Sequence, residues 1–191
     1  MAVTAGLEIV RDGGWAASAP GGVAARIGYT VGTLYHVFGS YDDLVLAMNA
    51  RTLDHWFEYT GRALRGRAKG GDPIRALARS YIRYSRAHPN EWLALFELRI
   101  AEDKRIPAWY AAKMARFFDL LEGLLLPALR NDRKKAKRAA RVLWAGIHGI
   151  CILAMSKKLD MVGSESAGTL AESLVDNYMA GLARRGVKAR R

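Results

Sequence analysis

Cysteine is almost missing from this chain: Cys151 is the only one in 191 residues. No intrachain disulfide can form, and a reducing compartment is the simpler setting. Alternating apolar and polar runs are missing too, while three- and four-residue apolar spacings recur throughout, so strands are not expected and the chain reads as all-α. The amino end carries no basic stretch followed by a long apolar run, so no secretory leader is read there and a cytoplasmic location is expected. The longest uncharged apolar run, Val142 to Met155, covers fourteen positions. That falls short of the roughly 20 a membrane span needs, so a buried helix is expected and no membrane partner. His36, His55 and His88 show no ligand spacing, and Trp144, His148 and Cys151 on one helical face are too few for a metal. Neither metal nor cofactor is expected. No nucleophile–base pair, phosphate loop or paired-carboxylate spacing stands out, which argues against an enzyme.

Acidic residues are the scarcer charge: 18 Asp and Glu face 30 Lys and Arg, for a net charge of +12. The excess is uneven, because residues 1–71 hold seven basic against six acidic side chains. A run from Arg130 to Arg141 holds seven basic residues. It reads as the solvated start of a helix, although cations there oppose the helix dipole and an anionic partner is the alternative.

Helix punctuation is clear. A first helix over about 2–12 ends at Gly13-Gly14, and a second runs from Pro20 to Arg26. A short third helix covers Val31 to Val37, and Ser40-Tyr41-Asp42-Asp43 caps a long fourth reaching the mid-sixties. The basic, glycine-rich break from Gly66 to Gly71 is a candidate domain boundary. Asp72-Pro73 opens a helix ending at His88, followed by helices over Asn90 to Asp103 and Pro107 to Arg130, the latter kinked by Pro127. Asn131-Asp132 caps a long helix through Lys158, and Gly163-Ser164 begins the last, about nine in all.

The most informative segment is Gly28-Tyr29-Thr30-Val31-Gly32-Thr33-Leu34-Tyr35-His36-Val37-Phe38. Two short helices joined by a glycine-bearing turn form a helix-turn-helix, whose second helix can lie in a DNA major groove. Leu34 and Phe38, four apart, share one face and anchor the helix, as Ala24 and Ile27 anchor the one before. Thr30, Val31, Gly32, Thr33, Tyr35 and His36 remain for the outward face. A valine or threonine methyl can meet a thymine methyl, and a hydroxyl can bond base or phosphate. The helix has no arginine, so direct readout is expected to be modest, with a share from DNA shape.

Ala24, Gly28, Thr30, Thr33, Leu34, Tyr35 and Phe38, followed by Asp43 and Leu44, resemble the TetR family of bacterial transcriptional regulators. Trp144 followed by His148-Gly149, with His88-Pro89 upstream, is similar to the WHG subgroup of its C-terminal domains. The resemblance implies an N-terminal three-helix DNA-binding domain over residues 1–48 and a helical ligand-binding and dimerisation domain over 49–191. It implies that Val31, Gly32 and Thr33 face base edges, and that Thr30, Tyr35 and His36 lie near phosphates. Tyr41 stands where the family has a lysine, and its hydroxyl could meet a phosphate. The implied function is a ligand-responsive regulator, in the sense of a repressor, acting as a homodimer on a palindromic operator of double-stranded DNA. An effector pocket is expected among Tyr81, Tyr84, Phe96, Phe117, Leu121, Trp144 and His148, although each such residue is more often core than pocket. Their character suits a small hydrophobic or aromatic molecule. Leu170, Leu174, Tyr178 and Leu182, at four-residue spacing, form a stripe that either packs internally or pairs with a second copy. The alternative is a helical small-molecule or partner-binding protein that kept the fold and lost DNA binding. Ala19-Pro20-Gly21-Gly22, standing where the family has a capping Ser or Thr and a nearby arginine, favours it.

Overall fold

A computed structural model describes residues 1–66, 71–97 and 105–188, with side chains through 184. Among the described residues there are nine α-helices and no strand. They are α1 (Ala2–Gly13), α2 (Pro20–Arg26), α3 (Val31–Phe38), α4 (Tyr41–Arg65), α5 (Pro73–Ala87), α6 (Pro89–Glu97), α7 (Ala108–Leu125), α8 (Arg133–Met155) and α9 (Ala167–Lys188). Three single 3₁₀ turns occur at Trp15–Ser18, Pro127–Leu129 and Leu159–Met161. The expectation of helix beyond Glu97, and most of the Gly66 to Gly71 break, lie outside the described residues.

The helix ends follow local chemistry. Thr30 caps α3, its hydroxyl accepting from the Thr33 N–H at 3.2 Å. Ser40 caps α4, accepting from the Asp43 N–H at 3.2 Å and donating to its carboxylate at 2.6 Å. Asp132 caps α8 by accepting from the Lys135 N–H at 3.0 Å, a bond that holds the Asp132 carboxyl below its usual range. Gly28 at φ 72° and Gly39 at φ 84° turn the chain before and after α3, in a backbone region that costs a side-chain-bearing residue about 1–2 kcal/mol.

Three ends differ from the sequence reading. The helix expected through Arg130 stops at Leu125, because Pro127 has no N–H to continue the ladder. Left-handed Arg130 and Asn131 then reverse the chain into α8. α8 stops at Met155, where the Ser156 hydroxyl donates to the Ile152 and Leu153 carbonyls. The last helix starts at Ala167 rather than at Gly163-Ser164, since Ser166 supplies the cap, accepting from the Thr169 N–H at 3.1 Å.

The chain gathers into two compact units that interleave along the sequence: Met1–Phe57 with Ala87–Met114, and Glu58–Arg86 with Ala115–Arg191. In the first unit, Val10 of α1, Val23 and Ala24 of α2, Leu34 of α3, Leu44 and Met48 of α4 and Ala94 of α6 form one buried cluster. Polar ties bind α6 to this cluster. Asn90 donates to the Arg11 carbonyl at the end of α1 (2.7 Å), Arg11 pairs with the buried Glu91 (2.8 Å), and Asn49 donates to the Ala94 carbonyl (3.3 Å).

In the second unit α8 packs along α9, and Leu77 of α5, Leu143 of α8 and Val175 of α9 are all buried. Arg75–Asp176 and Arg79–Glu172, each 2.6 Å apart, join α5 to α9; such exposed pairs add little to stability. Among the described residues, α8 is the one helix long and apolar enough to cross a membrane by length and composition. Its uncharged part rises only about 21 Å, less than the roughly 30 Å of a bilayer's hydrocarbon. Only 28% of its apolar window is buried within the chain; most of Val142 to Met155 is half-buried, and Val142, Ala145 and Leu153 are exposed.

Candidate nucleic-acid interface and effector cavity

α3 is held by one face. Leu34 is 4% exposed, and Val31 and Phe38 pack on the same cluster. Thr30, Gly32, Thr33, Tyr35 and His36 are all exposed, and Val31 is half-buried. Val37, which the sequence reading passed over, is 67% exposed one turn after Thr33. Spacing alone pointed the other way, because Val37 lies three residues after the buried Leu34, on the edge of the core face, and Phe38 takes the packed place instead. The Thr30 hydroxyl is committed to its own helix: besides capping, it lies 3.0 Å from the Thr33 hydroxyl. Arg26, the only Lys or Arg between Asp12 and Ala50, lies 3.5 Å from Glu8.

Tyr41 is placed differently from the phosphate-facing expectation. Its hydroxyl donates to the Ser18 carbonyl at 2.7 Å and lies 3.1 Å from the Ser18 hydroxyl, with its ring 6.2 Å from Trp15. Burial pushes its phenol above the ordinary value, so it stays protonated and its one O–H is spent internally. Tyr41 therefore ties the 3₁₀ turn after α1 to the start of α4. An open depression of about 330 Å³ bounded by Tyr35, Gly39, Ser40, Tyr41 and Asp42 adjoins it.

In the second unit, Tyr81, Phe117, Leu121 and Trp144 meet on one apolar cavity with Ile74, Leu77, Ala78, Leu143 and Ile147. Its free volume is about 10 Å³, room for a single water, where ligand sites for drug-sized molecules run to about 300–1,000 Å³. His148 stacks on Trp144, ring centroids 5.4 Å apart and planes 11° from parallel, and its Nδ1 lies 2.8 Å from the Tyr81 hydroxyl. Burial drives the Tyr81 phenol well above its usual range and the His148 imidazole below its own. Both are therefore neutral near pH 7. The phenol donates to Nδ1, leaving the ring proton on Nε2, an assignment made from this hydrogen bond.

Two residues expected at the cavity lie elsewhere. Tyr84 is buried edge-on to Tyr59 at 5.5 Å and does not line it. Phe96 belongs to the first unit and packs edge-on against Trp92 at 5.8 Å. Their aromatic character could not tell core from cavity, because the difference is made by which helix faces which. Cys151 is buried, with its thiol 3.0 Å from the Ser85 hydroxyl.

The half-buried imidazole makes stability acid-sensitive. With its pKa below the ordinary value of about 6.5, the unfolded chain binds the proton first as pH falls. Stability conferred by neutral His148 is thus complete above about pH 6.5 and declines as pH drops toward the folded-state pKa. Denaturant titrations between pH 7.5 and 5 should show this decline, and His148→Gln should flatten it; an equally steep decline in the variant would refute the assignment.

On α9, Leu170, Leu174, Tyr178 and Leu182 are all half-buried within the chain. Leu174 is engaged internally: a Cβ added at Gly146 would come 2.5 Å from its Cδ2, so the glycine lets α8 and α9 approach. On α8, Val142 (46% exposed) and Leu153 (43%) are joined by exposed Ala145 and half-buried Gly149 at three- and four-residue spacing. This face is outward and uncharged.

The sequence profile of the tetracyclin repressor-like C-terminal domain matches residues 74–178, more than half of the chain. An uncharacterised helix-turn-helix-type transcriptional regulator of Mycobacterium tuberculosis is 26% identical over 172 residues, covering 90% of this chain and 75% of the relative. Among solved structures, a protein of unknown function from Rhodococcus sp. RHA1 superposes with TM-score 0.76 at 19% identity, over 95% of this chain and 93% of that one. The TetR family transcriptional regulator PfmR from Thermus thermophilus gives 0.59 at 15% identity, over 94% and 97%. These two likenesses concern the fold. The profile match, spanning α5 to α9, carries the assignment: the chain belongs to the TetR family of DNA-binding transcriptional regulators.

Proposed function

We propose that the protein is a ligand-responsive repressor that binds a palindromic operator as a homodimer in the cytoplasm. Residues 1–48 are the DNA-binding domain, and residues 49–191 bind the effector and dimerise. The observation that carries this reading is α3 itself, an eight-residue helix anchored by Leu34 with Gly32, Thr33, Tyr35 and His36 left outward. A single short helix contacts few base pairs, so a two-fold pair on matching half-sites is the natural arrangement. The outward apolar face of α8, with Val142, Ala145, Gly149 and Leu153, supplies a self-complementary surface, and the stripe on α9 flanks it.

The effector is a small hydrophobic or aromatic molecule held by Tyr81, Phe117, Leu121, Trp144 and His148. Because the cavity has room for one water, anything larger enters only a rearranged packing of α5, α7 and α8. Ligand binding then selects that packing over the closed one, which is how an effector shifts an equilibrium.

Gel shifts against duplexes from the chain's own upstream region, at stated ionic strength, test the reading. Saturable, sequence-dependent binding at low salt is the expected result; its loss would overturn the proposal. Thr33→Ala and Tyr35→Ala should each weaken binding roughly 15–30-fold, about 0.8–1 kcal/mol for a lost methyl contact or neutral hydrogen bond in each of two half-sites, with unchanged thermal melting. Normal affinity in both would remove α3 as the contact surface.

A second reading, a ligand-binding protein of the same fold without DNA binding, is favoured by α2. Its N-cap Ala19 makes no side-chain bond, and Gly21 and Gly22 occupy its first turn. Effector binding with no duplex preference at any salt concentration would support it.

A further inference from the structure

The outward face of α3 is poor in the groups that usually read bases. From Val31 to Phe38 there is no Arg, Lys, Asn or Gln, so none of the two-pronged contacts to guanine or adenine is available from it. Methyl groups are what it has. The Thr33 hydroxyl is turned toward the cap, 3.0 Å from the Thr30 hydroxyl, and its backbone N–H is bound to the same oxygen. Thr33 is nevertheless exposed, and one turn on Val37 is 67% exposed, so the two residues line one methyl-bearing ridge.

Gly32 adds an independent observation. Its φ is not positive, and a Cβ built there would find its nearest neighbour, the Thr30 hydroxyl oxygen, at 3.6 Å. The fold has room for a side chain at this position. Gly32 stands in the first turn of α3, where no neighbour within the chain requires a missing side chain, so what that absence admits lies outside the chain.

We propose that α3 reads thymine by its C5 methyl group, with Thr33 the specificity-determining residue and Gly32 letting the helix backbone approach the groove floor. This rests on the DNA-binding reading above and narrows its ligand to duplexes with thymine at one or two fixed positions of each half-site. The thymine methyl is the one apolar group in the major groove, and it offers a threonine or valine methyl a contact that cytosine lacks. A bound duplex would shield both methyls from water.

The full chain is first used to select duplexes from a random-sequence pool. In the selected duplex each thymine is then replaced singly by deoxyuridine, which removes the methyl and leaves every hydrogen-bonding group. Replacement at one or two positions should weaken binding about fourfold per half-site, the factor for one buried methyl. Thr33→Ser keeps the hydroxyl and its bond to Thr30; it should bind more weakly and lose the sensitivity to deoxyuridine. Thr33→Val keeps the γ-methyl and should retain that sensitivity. Gly32→Ala should weaken binding roughly tenfold or more while thermal melting stays level or rises.

A selected site that tolerates deoxyuridine at every thymine would overturn methyl reading and leave DNA binding standing. Sensitivity that persists in Thr33→Ser would overturn the role of Thr33, and unchanged affinity in Gly32→Ala that of Gly32. Failure to select any site would overturn the DNA-binding reading itself, and the methyl reading with it.

Discussion

Leu34→Ala should abolish operator binding by melting the helix-turn-helix, without touching a DNA contact. Leu34 is 4% exposed and packs in the cluster that includes Val10, Val23, Ala24, Leu44 and Met48. Truncating a leucine in such a site costs about 2–5 kcal/mol, the lost transfer energy plus the cavity left behind. An eight-residue helix has no stability of its own in water, so α3 depends on this anchor. Domains of this kind hold only about 5–15 kcal/mol in total, and the variant should leave a large fraction of the unit unfolded at 37 °C. Circular dichroism should register a melting transition lowered by roughly 5–20 °C, and gel shifts should show no retained complex. Thr33→Ala, one residue away and exposed, is the control that keeps its melting temperature. Leu34→Ala with normal melting and normal binding would mean that α3 is held by something other than the described core.

In the proposed homodimer, Gly149→Arg should leave single subunits. A Cβ at Gly149 meets nothing within 4 Å in its own subunit, and arginine favours a helix over glycine by about 0.8 kcal/mol. The isolated subunit should therefore be at least as stable as before. Across a two-fold interface through α8, each substitution appears twice, setting one unpaired guanidinium against another in an apolar contact. Burying such charges without partners costs several kcal/mol apiece. Sedimentation equilibrium at micromolar concentration should report a single subunit mass. Operator affinity should fall about 100-fold or more as the two half-sites lose their tether. A variant that remains dimeric would move the interface off this face of α8.

Local punctuation was legible in the sequence because its causes are local. Pro20 at the first position of α2, the glycine turn at Gly28 and the Ser40 cap of α4 each act within four residues, and each lies where the sequence put it. Anchoring by Leu34 and Phe38 followed from helical period alone. Long-range partners were not legible. Tyr41 stands in a position suited to phosphate, but its hydroxyl is taken by Ser18, twenty-three residues earlier. Four of the seven residues expected at the cavity do line it, and His148 adjoins it through Tyr81 and Trp144. Tyr84 and Phe96 share the same composition and go elsewhere, because aromatic content does not encode which helix a ring meets. Nor could any pattern of residues reveal that the cavity is closed to all but a water, since free volume is a product of packing rather than of composition.

The interleaving of the two units bears on how the chain is made. α6 supplies Ala94, Glu91 and Asn90 to the cluster built by α1, α2, α3 and α4, yet some twenty-nine residues of the other unit separate it from Phe57. During synthesis the first sixty or so residues leave the ribosome with Val10 and Met48 still awaiting part of their cover. The nascent headpiece must wait, apolar side open, until a segment nearly forty residues further on has emerged to close it.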